Sequence, residues 1–300
     1  MLLIFLHRTV NHAMNTIRLA KLAVGDIIAC IVQRLKERYR YSIILLRQLV
    51  KTDFKLRYQG SILGYLWSLL RPLAIFLIMY VIFLRFLRVD FGVPHAAVYL
   101  LTGLVVWNYF AEVTLGSVGA IVGRGDLLRK LNFPRYVIVL SGSFAALINL
   151  FLNMIVIAVF MFFDNVPLTS NLLYVPLLVI ELFIFSIAIA FFLSALFVRF
   201  RDINYIWDVI MQAAFYATPI FYAITMIPQK YHLDKIIMAS PAAQMIQDFR
   251  YSVVTTQTPT IANVYHSHWA RLIPLGITVV ILVGAGLYFR KRSKFFAEEV

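Results

Sequence analysis

Runs of about 20 weakly charged, mostly apolar residues recur along the whole chain, near 61–84, 97–122, 137–163, 172–198, 203–225 and 271–289. Each is long enough to carry a helix across the roughly 30 Å hydrocarbon core of a bilayer. In lipid a segment must satisfy its own backbone, and runs that are continuous rather than alternating do so as helices. The expected fold is therefore an all-α membrane protein with six transmembrane helices. Composition agrees, with 62% of 300 residues hydrophobic and 14% charged, against roughly 45–50% and 25% in a soluble domain.

Lys and Arg set the orientation, because short loops rich in them stay cytoplasmic. Residues 1–60 hold 11, 123–136 hold four, 199–202 hold two and 290–300 hold four, against five in the opposite loops. Both termini are expected in the cytoplasm, with the protein multi-pass in the cytoplasmic (inner) membrane. The formal charge of +14 lies beside the spans, so no nucleic-acid partner is expected. The single Cys30 cannot form an intrachain disulfide. The opening Met1–Leu6 run lacks the positive start of a signal peptide, and no cleavage is expected.

Four regions are expected: a cytoplasmic extension over 1–40, an interfacial amphipathic helix over 41–60, the transmembrane domain over 61–290 and a cytoplasmic tail over 291–300. In the second, Leu46, Val50, Phe54 and Tyr58 recur every four residues, beside a basic stripe of Arg47, Lys51 and Lys55. Such a helix lies at the membrane surface with its cations among anionic headgroups. The 226–268 segment is long and mixes polar residues with apolar stretches, which suggests re-entrant helices between spans 5 and 6.

Familiar enzyme chemistry is absent from the sequence. No glycine is followed by lysine, so the phosphate-cradling G-x-x-x-x-G-K-S/T loop is missing, as are H-E-x-x-H, G-x-S-x-G and C-x-x-C. The chain is not expected to hydrolyse ATP itself. His266 and His268 are read as loop histidines rather than metal ligands.

Charges within spans need a partner or a water-filled path, since each costs roughly 2.5–3.5 kcal/mol at a helix centre. Arg71, Glu112, Glu181 and Asp208 are such charges. Arg71 either bridges to one of these acids or lines a path for an anionic substrate. Asn149 and Asn153, one turn apart, are read as interhelical contacts. Tyr65, Trp67, Phe215, Tyr216 and Tyr222 are pathway candidates, offering flat apolar faces and, from the tyrosines, hydroxyls that suit a sliding sugar polymer.

Several motifs, in order, carry a resemblance. Arg57-Tyr58-Gln59-Gly60-Ser61-Ile62-Leu63-Gly64-Tyr65-Leu66-Trp67, followed by Pro72, resembles the start of the first span in type-2 ABC transporter permeases. Leu127-Leu128-Arg129-Lys130-Leu131-Asn132-Phe133-Pro134-Arg135 resembles their first cytoplasmic loop, and Arg199-Phe200-Arg201-Asp202-Ile203 the second. Thr218-Pro219-Ile220-Phe221-Tyr222 and Ser240-Pro241, leading to Arg250, follow in the same order. Serine stands before Pro241 where the family usually has asparagine, and the N-terminal extension is longer than usual.

The resemblance implies a permease that exports lipid-linked polysaccharide of the O-antigen, capsule, teichoic acid or galactan type. It would form a homodimer with two copies of a separate ATPase subunit, which binds the ATP and magnesium; this chain would hold no cofactor. Arg47, Lys51, Lys55 and Arg57 would receive the anionic head of the cargo among the membrane lipids. Leu127, Leu128 and Leu131 would plug a groove on the ATPase, ringed by Arg129, Lys130 and Arg135. Two alternatives share part of this pattern: a type-2 exporter of drugs or small lipids, and a membrane-embedded glycosyl or acyl transferase.

Overall fold

The computed structural model describes residues 40, 42–55, 64–130, 133–227 and 232–299. Arg57, Tyr58 and Leu131 lie outside these residues, as does the side chain of Tyr65. The chain divides into two compact units, 1–48 and 49–300. In the first, residues 40 and 42–48 are helical and Arg47 is exposed. The second opens with helical residues 49–55, where Lys51 and Lys55 are exposed and Val50 and Phe54 half-buried, as an amphipathic surface helix requires.

The described residues form helices and their connections, with no strand among them. Helix α1 (Trp67–Met79) continues into a π-helical segment, Tyr80–Phe86, and α2 (Ala96–Val118) follows. A short α3 (Gly125–Lys130) leads to the long α4 (Tyr136–Phe163) and to α5 (Val175–Arg199). Then come α6 (Ile203–Ala217), α7 (Leu233–Ala239), α8 (Pro241–Val253), α9 (Ile261–Tyr265), α10 (Leu272–Arg292) and α11 (Phe296–Glu299).

Five segments among the described residues are long and apolar enough to cross a membrane: Trp67–Phe86, Ala96–Val118, Tyr136–Phe163, Ser170–Arg199 and His268–Arg292. Each lies within a few residues of an expected span. The expected fifth span, 203–225, differs. Its helix α6 has 15 residues and rises only about 22 Å, short of the hydrocarbon core. Thr218 turns to an extended conformation and Pro219 has no N–H to continue the ladder, so 218–223 is irregular before a short 3-10 turn at Ile224–Met226.

Burial ranks the spans. The α2 span is 72% buried over its most apolar window, whereas α1 and α10 are 11% and 22% buried. Helix α2 is therefore the centre, packed by α4, α5 and α8. Exposed Leu77 and Ile78 on α1, Val81 on the π-helical segment that continues it, and Val279, Val280 and Val283 on α10 suit lipid or another subunit.

The 226–268 segment is not an open loop. Pro241 occupies the first turn of α8, where its missing N–H costs nothing, and Thr260 with Asn263 closes a capping box on α9. Helix α8 inserts against α2 and α5 and buries Gln244, Gln247, Asp248 and Arg250 together with Met245 and Phe249.

Candidate transport site

A cleft of about 630 Å³ opens between α1, α2 and α4, lined among others by Trp67, Arg71, Asn108, Tyr109, Glu112 and Asn149. Asn149 donates to Glu112 Oε1 at 2.8 Å, and Asn153 donates to the Asn149 carbonyl at 2.8 Å and the Ser68 carbonyl at 3.3 Å. The two asparagines thus knit α4 to α1 and α2, and Asn149 also holds an acid at the cleft wall. Arg71 is exposed and makes no ion pair with a described carboxylate. Of the two readings of Arg71, the chain's own geometry disfavours the internal salt bridge and leaves the cation facing the cleft.

A second cluster forms around the end of α6. Phe215 meets Tyr216 edge-on (5.3 Å between centroids) and lies tilted against Phe221 (5.7 Å) and Trp107 (6.0 Å). Phe221 also meets Tyr222 and Phe83, and the Tyr222 hydroxyl donates to the Ala217 carbonyl at 2.7 Å. Three pathway candidates, Phe215, Tyr216 and Tyr222, are therefore brought together, whereas Trp67 stands in the cleft with Arg71. Tyr216 and Trp67 are 65% and 49% exposed.

Helix α6 carries a feature that hydropathy alone obscures. Asn204, Asp208, Gln212 and Tyr216 are all exposed, and their four-residue spacing puts them on one face. An acid on a lipid-facing surface is costly, so this face fits an aqueous path or another subunit. The period was visible in the sequence, where apolar neighbours masked it.

At the basic end of the bundle, Arg124 donates to Asp53 and, at 3.1 Å, to Ser141 Oγ, which donates to the other Asp53 oxygen at 2.9 Å. This triad ties residues 49–55 to the turn after α2 and the start of α4. Asp53 and Arg124 were absent from the expected site residues because they lie 71 positions apart, with no local motif joining them.

The first loop departs from the expected plug. Arg129 and Lys130 are exposed on α3, but Leu128 is only 8% exposed and Phe133 5%. Leu128 is turned into the chain's own fold, because α11 packs against α3 and α5 with Phe296 fully buried there. It is not presented for a partner, which corrects the expected leucine edge. Leu127, Pro134 and Arg135 are half-buried. In the second loop Arg199, Arg201 and Asp202 are exposed, with Arg199 over the Phe200 ring (5.1 Å) and Arg201 over Phe197 (5.3 Å). Among the described residues no group of three or more metal-binding side chains forms, His266 and His268 included.

Residues 44–254 match the family described as ABC-2 type transporter. The chain is 35% identical over 218 residues, 72% of its own length and 83% of the relative's, to an O-antigen export system permease protein RfbA of Klebsiella pneumoniae. It is 26% identical to an RfbA of Myxococcus xanthus over 90% of this chain and all of that protein. It is also 19% identical to the capsule polysaccharide export inner-membrane protein CtrC of Neisseria meningitidis, over 81% of this chain and 91% of that one.

Proposed function

Because this chain belongs to the ABC-2 type transporter family, we propose that it is the permease of an exporter that moves lipid-linked polysaccharide across the cytoplasmic membrane. The family makes it a multi-pass membrane subunit that transports rather than catalyses, with ATP hydrolysed by a separate ABC ATPase. Membership removes the transferase alternative. The observation that carries the glycan reading over export of drugs or small lipids is the extended similarity to permeases named for O-antigen and capsule export.

In this reading the permease is a homodimer, two ATPase copies bind ATP and magnesium, and both termini are cytoplasmic. The short α6 completes a sixth crossing with the irregular 218–223 segment, and α7 to α9 re-enter from the far side. The exposed cations Arg47, Lys51 and Lys55, with Arg57, gather the anionic cargo head at about 1 kcal/mol each, enough to recruit it reversibly. Arg71 then meets the charge within the cleft. The polar face of α6 and its aromatic end offer hydroxyls and flat rings to successive sugars.

The test is a deletion strain analysed by mass spectrometry of lipid-linked sugars. Intracellular lipid-linked glycan should accumulate and clear when the gene is restored. Unchanged glycan pools with impaired efflux of small amphiphiles would instead support the drug-exporter alternative.

A further inference from the structure

The cavity beside the Asp53–Arg124 pair is kept open by glycines that close packing does not explain. It has a volume of about 320 Å³, lies between residues 49–55, α2 and α4, and has Gly116 and Gly142 in its wall. Glycine in a helix interior costs stability relative to alanine, and in membrane helices close helix approach usually offsets that cost. Gly103 follows this rule, since an added Cβ would strike Arg250. At Gly116 on α2 and Gly142 on α4 an added Cβ would meet nothing within 4 Å among the described residues. What these two glycines leave is space, and its volume is within the roughly 300–1,000 Å³ of small-molecule sites.

The chemistry of the wall selects the occupant. Asp53, Glu112 and Arg124 line it together with Ser117 and Ser143, which sets two carboxylates against one guanidinium. The donors are engaged within the chain. Ser117 Oγ donates to the Thr114 carbonyl at 2.7 Å and Ser143 Oγ to the Val139 carbonyl at 3.0 Å. Arg124 donates to Asp53, to Ser141 Oγ and, at 3.4 Å, to the Ile138 carbonyl. A carboxylate can accept at about four lone-pair sites, so the wall is rich in acceptors and poor in available donors. An occupant has to bring hydrogen-bond donors of its own, and an acceptor-only anion such as phosphate is disfavoured by charge and by donor count together. A ring of hydroxyls meets that demand.

The cavity is also well placed for cargo. Glu112 and Gly116 stand in the wall of the cleft that holds Arg71 as well, so the two spaces adjoin along α2. Asn108, Glu112 and Gly116, at four-residue spacing, share the face that runs from one to the other. On the glycan reading above, we propose that this cavity seats an uncharged sugar of the cargo next to its anionic head, which Arg71 meets in the adjoining cleft. Charge and hydroxyls are then read by neighbouring sites with opposite preferences.

The experiment uses the full-length protein purified in a detergent without a sugar head. The probe is the free glycan released by mild acid from the lipid-linked pool of the deletion strain, and bound glycan is counted by native mass spectrometry. Gly142→Leu fills the cavity from α4 and Gly116→Leu fills it from α2. Gly286→Leu, equally open at its Cβ but outside this wall, is the control, and Gly142→Ala narrows the cavity with the least change to the fold. Both cavity leucines should lower affinity by about ten-fold or more, the scale of one hydrogen bond to a charged acceptor. Gly142→Ala should lower it less while unfolding at or above the parental temperature, and Gly286→Leu should bind as the parent does. Inorganic pyrophosphate should leave the glycan bound. Parental affinity in the folded cavity variants, or displacement by pyrophosphate, overturns this site alone, whereas a deletion strain with no lipid-linked pool overturns the glycan reading and the site with it.

Discussion

Gly103 stands where any side chain would collide with the guanidinium of Arg250. Arg250 is wholly buried on α8, donates to the carbonyls of Tyr99 (3.0 Å), Pro219 (2.5 Å) and Ile220, and lies 3.7 Å over the Tyr99 ring. One cation thus joins the central helix, the inserted helix and the carbonyls of the irregular segment that follows α6.

The two residues predict opposite outcomes for the same substitution. Gly103→Ala places a methyl against Arg250 and should destabilise by about 1–3 kcal/mol. Gly286→Ala, with open space around its Cβ, should stabilise by about 0.5–1 kcal/mol through helix propensity. Thermal unfolding in detergent reads both, and a shared sign would show that Gly103 is not there to make room.

Arg250→Met should lower stability further than Gly103→Ala, because buried carbonyls left unpaired cost about 1–3 kcal/mol each. Arg250→Lys keeps the charge without the fork that spans three acceptors and should fall between. If Met and Lys variants unfold at the parental temperature, the tether carries no weight.

Five of the six expected spans were legible because hydropathy is summed over 20 residues and tolerates local error. Arg250 was not. By charge count it was an outer-loop cation, and nothing near it in sequence announces acceptors 31 and 151 positions away. Leu128 failed for the same reason, since an i, i+1, i+4 leucine pattern shows an apolar edge without saying whether its cover is a partner or the chain's own tail. The short α6 was partly legible, as Pro219 marks its stop.

Arg71 provides a separation of stability from transport. With no described acid in ion-pair range, Arg71→Leu should leave the unfolding temperature within a degree or two while lowering export. Glu112→Gln, which weakens the bond from Asn149, should cost stability, about 1–2 kcal/mol for a bond to a charged group. Loss of stability in Arg71→Leu with normal export would reverse the assignment.

The Asp53–Arg124 pair is partly shielded, with side chains 17% and 26% exposed. Its coupling should fall between that of exposed and buried pairs, about 1–3 kcal/mol. A double-mutant cycle of Asp53→Asn and Arg124→Gln measures it, and Ser141→Ala should weaken the same coupling. Additive single-variant effects would mean the triad is incidental.

The first loop calls for a different probe than its leucine pattern suggested. Leu128→Asp would bury a charge and disrupt the fold, so it cannot report on contact with the ATPase. Half-buried Leu127 and exposed Arg129 and Lys130 are the groups free to meet that subunit. Behind them, Phe296 packs edge-on against Phe289 (5.4 Å), which meets Phe191 (4.9 Å), and Arg292 holds Glu299 at 2.8 Å. The tail is thereby pinned to the ends of α5 and α10 while it supports α3 from within. Phe296→Ala removes a buried ring worth about 3–5 kcal/mol in a closed core, but a chain end can release that locally without unfolding the bundle. Hydrogen exchange over 125–130 should therefore rise in Phe296→Ala, and export should fall with the spans still inserted. Leu127→Asp should weaken ATPase binding while exchange in α3 stays parental. If Phe296→Ala leaves both exchange and export unchanged, the tail does not brace the loop, and force from the ATPase must reach the bundle through Arg199 to Ile203.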